Sequence, residues 1–248
     1  MAEVRLYADL PLVPGTEYEL SEAASRYLIS VMRLKSGDSF KTFNGRDGEF
    51  VAVITAADKK RCRAIVEKQS RTFSLSPDLW LLFAPLKKDA TDFLVEKAVE
   101  LGVRRLQPVI TRYTNSEKVR LERFEAQIIE AAEQCRRVDL AEISTPCRLE
   151  ELLMRWEKER PLFFMDESGA GKDVATVFRA NPQKSAAVLI GPEGGFSQEE
   201  SMFLRRCDFV RPVSLGPRIL RAETAAAAAL SCWQSMNGDW LQAKGEKE

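Results

Sequence analysis

Histidine is absent from all 248 positions. That absence excludes Ser-His-Asp and Cys-His catalysis, His-ligated zinc and an imidazole general base. Proton transfer then falls to carboxylate, Lys, Tyr, Cys, water or an Arg in a special setting. A net charge is lacking too, since 37 basic residues balance 37 acidic ones. The balance argues against a diffuse, histone-like nucleic-acid binder but leaves room for a local basic face. No run of about 18 or more apolar residues occurs, so no membrane helix is expected. The start, MAEVRLYADLPLVPG, lacks the basic and apolar regions of a signal peptide. Cys62, Cys135, Cys147, Cys207 and Cys232 are odd in number and form no C-x-x-C pair. The expectation is reduced thiols in a cytoplasmic protein with no metal site.

What remains is a globular composition, 45% apolar and 30% charged, long enough for one large domain or two small ones. Residues 1–72 read as short strands and turns. The runs Ser39–Phe43 and Glu49–Ile54 flank Asn44-Gly45-Arg46-Asp47-Gly48, a hairpin pattern that predicts a small β-domain. Residues 21–33 read as a helix capped by Ser21, with Ala24, Leu28, Val31 and Met32 on one face. Ser, Thr and Pro in 70–80 suggest a linker. Beyond it the rhythm becomes strand–helix–strand. Apolar runs at 80–86, 105–110, 161–166, 186–190 and 209–216 alternate with helical patterns at 89–102, 121–135, 197–207 and 221–236. Asp89 is placed to cap the helix at 89–102 and Gly102 to end it, while Ser197 and Glu200 form a capping box. Such alternation predicts an α/β domain with a mainly parallel sheet. The tail QAKGEKE reads as frayed.

Two glycine-rich stretches carry the chemistry. ESGAGKDV (167–174) resembles a phosphate loop, but the full pattern needs Gly where Asp166 stands and Ser or Thr where Asp173 stands. It reads as a loop entering a helix. LIGPEGGFS (189–197) differs: a buried strand ends at once in three glycines and one carboxylate. It is not G-x-G-x-x-G, so no dinucleotide fingerprint is present. The residues alone leave two readings open, a tight strand-to-helix turn or a binding loop. SLGPRILRAETAAAAAL (214–230) also leaves a strand through Gly-Pro and enters a helix. Two such loops can wall one pocket at the carboxyl ends of strands, where open α/β sheets bind ligands. The alanines at 225–229 read equally as helix propensity or as a close-packing face.

IGPEGGFSQEE followed by SLGPRILRAETAAAAAL resembles the RsmE family of ribosomal RNA methyltransferases, within the SPOUT superfamily. PLKKDATDFLVEKAVELGV, PVITRYT and EAAEQCRR extend the resemblance over most of 80–236. It implies a parallel-sheet α/β domain with a deep trefoil knot at 73–248, preceded at 1–72 by a PUA-like, RNA-binding β-barrel. A knot is not derivable from strand order, because threaded chains are rare. Where the family often shows Gln-Cys-Gly-Arg, this chain has Gln134-Cys135-Arg136-Arg137; where it often shows Arg-Thr-Glu-Thr-Ala, this chain has Arg221-Ala222-Glu223-Thr224-Ala225.

The activity implied is transfer of a methyl group from S-adenosylmethionine to N3 of a uridine in small-subunit (16S) ribosomal RNA. The alternatives are an RNA-binding module without catalysis and a SPOUT methyltransferase acting elsewhere on RNA. By resemblance, the cofactor contacts are Leu189, Ile190, Gly191, Gly195, Leu215, Gly216, Ile219 and Leu220. Glu193 is a candidate proton acceptor, or an electrostatic or ribose partner of the cofactor. Arg221 is a candidate stabiliser of the uracil anion or of a phosphate, since a guanidinium is a permanent donor array. Each is also open to reading as a structural ion pair. RNA contacts are expected from Arg33, Lys35, Arg112, Arg136, Arg137 and Arg218, with Lys118, Arg120, Arg123, Arg46, Lys59, Lys60, Arg61 and Arg63 as further basic residues. Phe43 and Tyr113 are either stacking platforms or ordinary packing. The expected partners are ribosomal RNA or the small subunit, and a second copy in a homodimer through the knotted domain.

Overall fold

The computed structural model describes residues 4–114 and 119–241. Lys118 and the tail QAKGEKE lie outside the described residues. The chain divides into two compact units, Met1–Leu75 with Ala132–Leu140, and Ser76–Ala131 with Ala141–Glu248.

The first unit holds β1 (Arg5–Tyr7), β2 (Glu17–Glu19), α1 (Glu22–Arg26), a π turn over Tyr27–Val31, β3 (Ser39–Phe43), β4 (Glu49–Ala56) and β5 (Arg63–Arg71). They make one sheet in the order β1-β3-β4-β5-β2. β3 and β4 form the antiparallel hairpin that the Asn-Gly turn predicts. Three register irregularities bend the β4–β5 ladder. Leu6, Leu20, Leu28, Phe40, Ala52, Ile54, Cys62 and Ala64 fill its interior.

The expected helix over 21–33 is shorter and wider. Ser21 does cap it, its hydroxyl accepting the Ala24 N–H at 3.2 Å. After Arg26 the winding loosens, and Met32 N–H reaches back five residues to the Tyr27 carbonyl at 2.9 Å. A five-residue step rotates every later side chain off the 3.6-residue stripe. Leu28 is therefore fully buried while Val31 is exposed.

The segment 132–140 joins this unit after a helix whose start lies in the other. Arg136, just past that helix, stands at φ 62, in the left-handed region. Glycine takes that conformation without crowding. Arg136→Gly should relieve about 1–2 kcal/mol of crowding. It should also lose about 0.5–1 kcal/mol through a looser unfolded chain. A small rise in Tm is the expected outcome.

The second unit holds β6 (Asp78–Phe83), α2 (Lys88–Glu100), β7 (Arg105–Ile110), α3 (Leu121–Cys135), β8 (Glu142–Ile143), β9 (Cys147–Arg148), α4 (Leu149–Met154), β10 (Leu162–Met165), β11 (Lys172–Asp173), α5 (Val174–Ala180), β12 (Ser185–Ile190), α6 (Gln198–Arg206), β13 (Val210–Ser214) and α7 (Ala222–Asn237). A turn of 3-10 helix, Asp239–Leu241, follows. The strands run in the order β11-β13-β10-β12-β6-β7-β8, with β9 also on β7. Each of these pairings is parallel. The apolar runs become the central strands: Phe163, Phe164, Val188 and Leu189 are fully buried, as a sheet covered on both faces requires. β13, the last strand, is not at an edge but sits between β10 and β11. α7 packs on α2, α5 and β12.

The capping box forms as read. Ser197 Oγ accepts the Glu200 N–H at 3.2 Å, and Glu200 accepts the Ser197 N–H at 2.8 Å. Asp89 does not cap α2: Lys87 holds the N-cap position, and Asp89 lies inside the first turn, where its charge still suits the helix dipole. Gly102 ends that helix at φ 75.

Candidate functional site

The two Gly-Pro bends meet. β12 lies beside β10, and β10 lies beside β13, so the carboxyl ends of β12 and β13 fall on the same side of the sheet. Between them is a cavity of about 550 Å³, within the usual range for ligand pockets. Ile190, Gly191, Glu193 and Gly195 come to it from the first bend, and Ile219, Leu220 and Arg221 from the second. A smaller recess of about 60 Å³ shares Ile219 and Leu220 and adds Leu215, Gly216 and Arg218. Leu189 lines neither cavity; its side chain is in the hydrophobic core and its backbone lies between β6 and β10.

The glycines shape the first bend. Gly195 N–H bonds the Pro192 carbonyl at 2.9 Å, closing a turn. Gly195 sits at φ 71, and a Cβ there would lie 2.4 Å from Glu167 Oε1. That oxygen accepts the Phe196 N–H at 3.2 Å. A Cβ on Gly191 would lie 2.6 Å from the Phe196 ring, which packs edge-on against Phe164. Gly195→Ala should therefore displace Glu167 and place alanine in a left-handed conformation, at a cost of about 1–2 kcal/mol. The check is thermal unfolding beside donor titration, with Gly194→Ala as the milder neighbour.

Charge in the cavity is mixed. Glu193 is exposed and its Oε1 accepts the Lys87 N–H at 3.4 Å. Arg221 is the N-cap residue of α7, with no side-chain capping bond. The first turn of α7 contributes Ala222, Glu223 and Ala225 to the wall, so unpaired helix N–H groups border the cavity. Met165 and Glu167 complete it from the end of β10. Sequence reasoning missed both; the only local signal was their place at the end of an apolar run.

The six expected RNA contacts separate. Arg33, Lys35, Arg112, Arg136 and Arg218 are exposed. Arg137 is 9% exposed, and its guanidinium pairs with Asp139 at 2.9 Å, inside the fold. Arg33 and Arg136 are the only non-glycine residues with positive φ among the described residues. Of the further basic residues, Arg46, Arg61 and Arg63 pair with Asp9, Glu19 and Glu17 on the surface, and Arg123 pairs with Asp92. Phe43 is packing rather than a platform: it is fully buried, with the Arg5 guanidinium 3.7 Å from its ring centre. Tyr113 is half exposed. At the false phosphate loop, Asp173 caps α5 through the Thr176 N–H at 2.9 Å. The Thr176 hydrogen bonds hold its carboxyl below the usual range.

The chain matches two family models, an RNA methyltransferase domain over residues 74–234 and an RNA methyltransferase PUA domain over residues 20–67. The ribosomal RNA small subunit methyltransferase E of Buchnera aphidicola subsp. Schizaphis graminum is 30% identical over 249 residues, covering 95% of this chain and 97% of that protein. A ribosomal RNA small subunit methyltransferase E from Neisseria gonorrhoeae, crystallised with S-adenosyl methionine, superposes with a TM-score of 0.87. That match is at 28% identity, over 96% of this chain and 99% of the other. A Legionella pneumophila protein solved with bound cofactor SAM gives 0.85 at 32% identity, over 96% and 100%. Among the described residues no helix is long and apolar enough to cross a membrane. With its paired bends, its parallel sheet and its PUA-type first unit, the chain belongs to the RNA methyltransferase family that includes the small-subunit methyltransferases E.

Proposed function

We propose that this protein transfers a methyl group from S-adenosylmethionine to N3 of a uridine in 16S ribosomal RNA, in the cytoplasm. The observation that carries the reading is the single cavity walled by both Gly-Pro bends. Its residues suit the donor. Ile190, Ile219, Leu220 and Met165 offer apolar surface to a purine, and Ile219 is 89% exposed until something covers it. Glu167, Glu193 and Glu223 offer carboxylates to hydroxyl and cationic groups. Gly191 and Gly195 stand where a Cβ would crowd the bend.

When bound, S-adenosylmethionine supplies an electrophilic methyl carbon. The chain's residues orient it and handle the acceptor's proton. Glu193 offers its carboxylate to the uracil N3 proton. Arg221 offers a fixed positive charge to the anion left at the uracil oxygens. Residues 1–72 serve as the RNA-binding domain and 73–248 as the methyltransferase domain. The insertion of β13 between β10 and β11 supports the trefoil knot. The small-residue face of α7 supports a homodimer through that domain.

The test is incubation with labelled donor and either naked 16S RNA or assembled small subunits, followed by nucleoside mapping. The expected product is N3-methyluridine. RNA binding without donor uptake in calorimetry would leave a binding module; a methyl group on another atom would leave a different SPOUT activity.

A further inference from the structure

We infer that a second cavity in the α/β unit receives a nucleotide of the RNA strand that carries the acceptor, an inference that rests on the methyl-transfer reading above. The cavity holds about 540 Å³ among Thr111, Arg112, Tyr113, Arg148, Glu150 and Glu199. Its place is set by a shared wall. Gly191, Pro192, Glu193 and Gly195 line the donor cavity, and the same stretch of chain continues into Ser197, Glu199 and Glu200, which line this one. A Cβ on Gly194 would lie 3.2 Å from Tyr113 Cβ, so Tyr113 packs directly on the donor bend.

The cavity is built, not a chance dent. Glu200 is 7% exposed, and both its oxygens are engaged: one accepts the Ser197 N–H and the other the Arg112 N–H, each at 2.8 Å. That buried carboxylate ties the backbone of Arg112 to the start of α6. Thr114 Oγ1 accepts the Thr111 N–H at 2.9 Å and fixes the loop's turn. Tyr113 is left 49% exposed.

The lining is mixed in a way that fits a nucleotide better than a bare anion. Arg112 and Arg148 are exposed; the Arg112 charge acts on the Glu199 carboxyl, and neither guanidinium makes a hydrogen bond or a close ion pair among the described residues. Two guanidinia can hold a phosphate by paired N–H donors. An exposed tyrosine ring stacks a splayed base. Glu150 and Glu199 can accept from base N–H groups. A strand anchored here on one side of the 191–195 bend leaves its neighbouring nucleotide free to reach the donor on the other.

The test uses the full chain and a short single-stranded ribo-oligonucleotide carrying 5-iodouridine. Tyr113→Ala and Arg148→Ala should each weaken binding in anisotropy titrations by about tenfold. Donor affinity in calorimetry should stay within about twofold for Arg148→Ala, because that side chain does not line the donor cavity. Irradiation of the wild-type complex should crosslink RNA to Tyr113, a result that does not depend on how the variants fold. Unchanged RNA affinity in both folded variants, or crosslinks confined to other residues, would overturn the assignment. If the wild type takes up no donor yet crosslinks at Tyr113, the methyl-transfer reading fails and the nucleotide site stands.

Discussion

Replacing Arg221 with alanine is expected to lower kcat by about 10² to 10³ while donor affinity shifts only a few-fold. The expectation follows from what the side chain does not do. Arg221 is the N-cap of α7 at φ −64 and ψ 152, and its side chain makes no capping bond. The bond that starts the helix, Ala225 N–H to the Arg221 carbonyl at 2.8 Å, is backbone and survives the substitution. The residue is exposed at the lip of the proposed donor cavity, so little packing is lost. Among the described residues its guanidinium has no hydrogen-bond or ion-pair partner, which leaves that charge available to the proposed ligand. If it stabilises charge that develops only during transfer, its loss appears in kcat and not in KM. Arg221→Lys keeps the charge but loses the planar fork, and should recover part of the rate. A full-rate Arg221→Ala enzyme would remove the role; an equal loss of donor binding would make Arg221 a binding residue instead.

The contrast between Arg221 and Arg137 shows what was legible in the chain. The sequence offers Arg137 as an RNA contact and Arg221 as a stabiliser of the uracil anion or of a phosphate. Arg221 is exposed, whereas Arg137 turns inward to Asp139, and its carbonyl accepts from Arg5. The Arg5 contact spans 132 positions, so no local pattern announces it. The capping box of α6 was readable because both of its bonds close within three residues. The central strands were readable because burial on two faces leaves an unbroken apolar run. The loosened turn at Tyr27–Val31 was not, because one extra residue per turn leaves the composition unchanged while moving Val31 into solvent. In the proposed donor cavity, the two bends announced themselves through glycine. Glu167 did not, since it reaches the bend only through the lateral order of β10 and β12. Arg148 was missed for the same reason: β9 brings it beside Ile110 only through parallel pairing with β7.

Arg5, which no motif singled out, should be among the most costly residues to remove. Its side chain is 5% exposed and pairs with Glu49, 6% exposed, at 2.7 Å. It also donates to the Ala132 carbonyl at 2.6 Å and to the Arg137 carbonyl. One guanidinium thus ties β1 to β4 and to the returning segment 132–137. Arg5→Met leaves the buried Glu49 carboxylate with only the Ser70 hydroxyl at 2.9 Å and Arg71 at 4.0 Å, removes a donor from two carbonyls, and is expected to cost about 3–5 kcal/mol. Adding Glu49→Gln should restore part of that, because the stranded charge is then gone; a double-mutant cycle in urea reads the coupling. The pair also sets a pH dependence. Burial alone pushes the Glu49 carboxyl up, but the Arg5 and Ser70 hydrogen bonds and the Arg5 charge outweigh it, and the net direction is down. Burial lowers the Arg5 guanidinium as well, yet an arginine stays protonated at working pH. A carboxylate depressed in the folded state contributes fully above its unfolded value and loses that contribution as pH falls through the folded one. Wild-type stability should therefore drop in acid below the ordinary glutamate range, and Glu49→Gln should flatten that slope. A loss under about 1 kcal/mol for Arg5→Met, or strict additivity in the cycle, would show that the pair is an incidental contact.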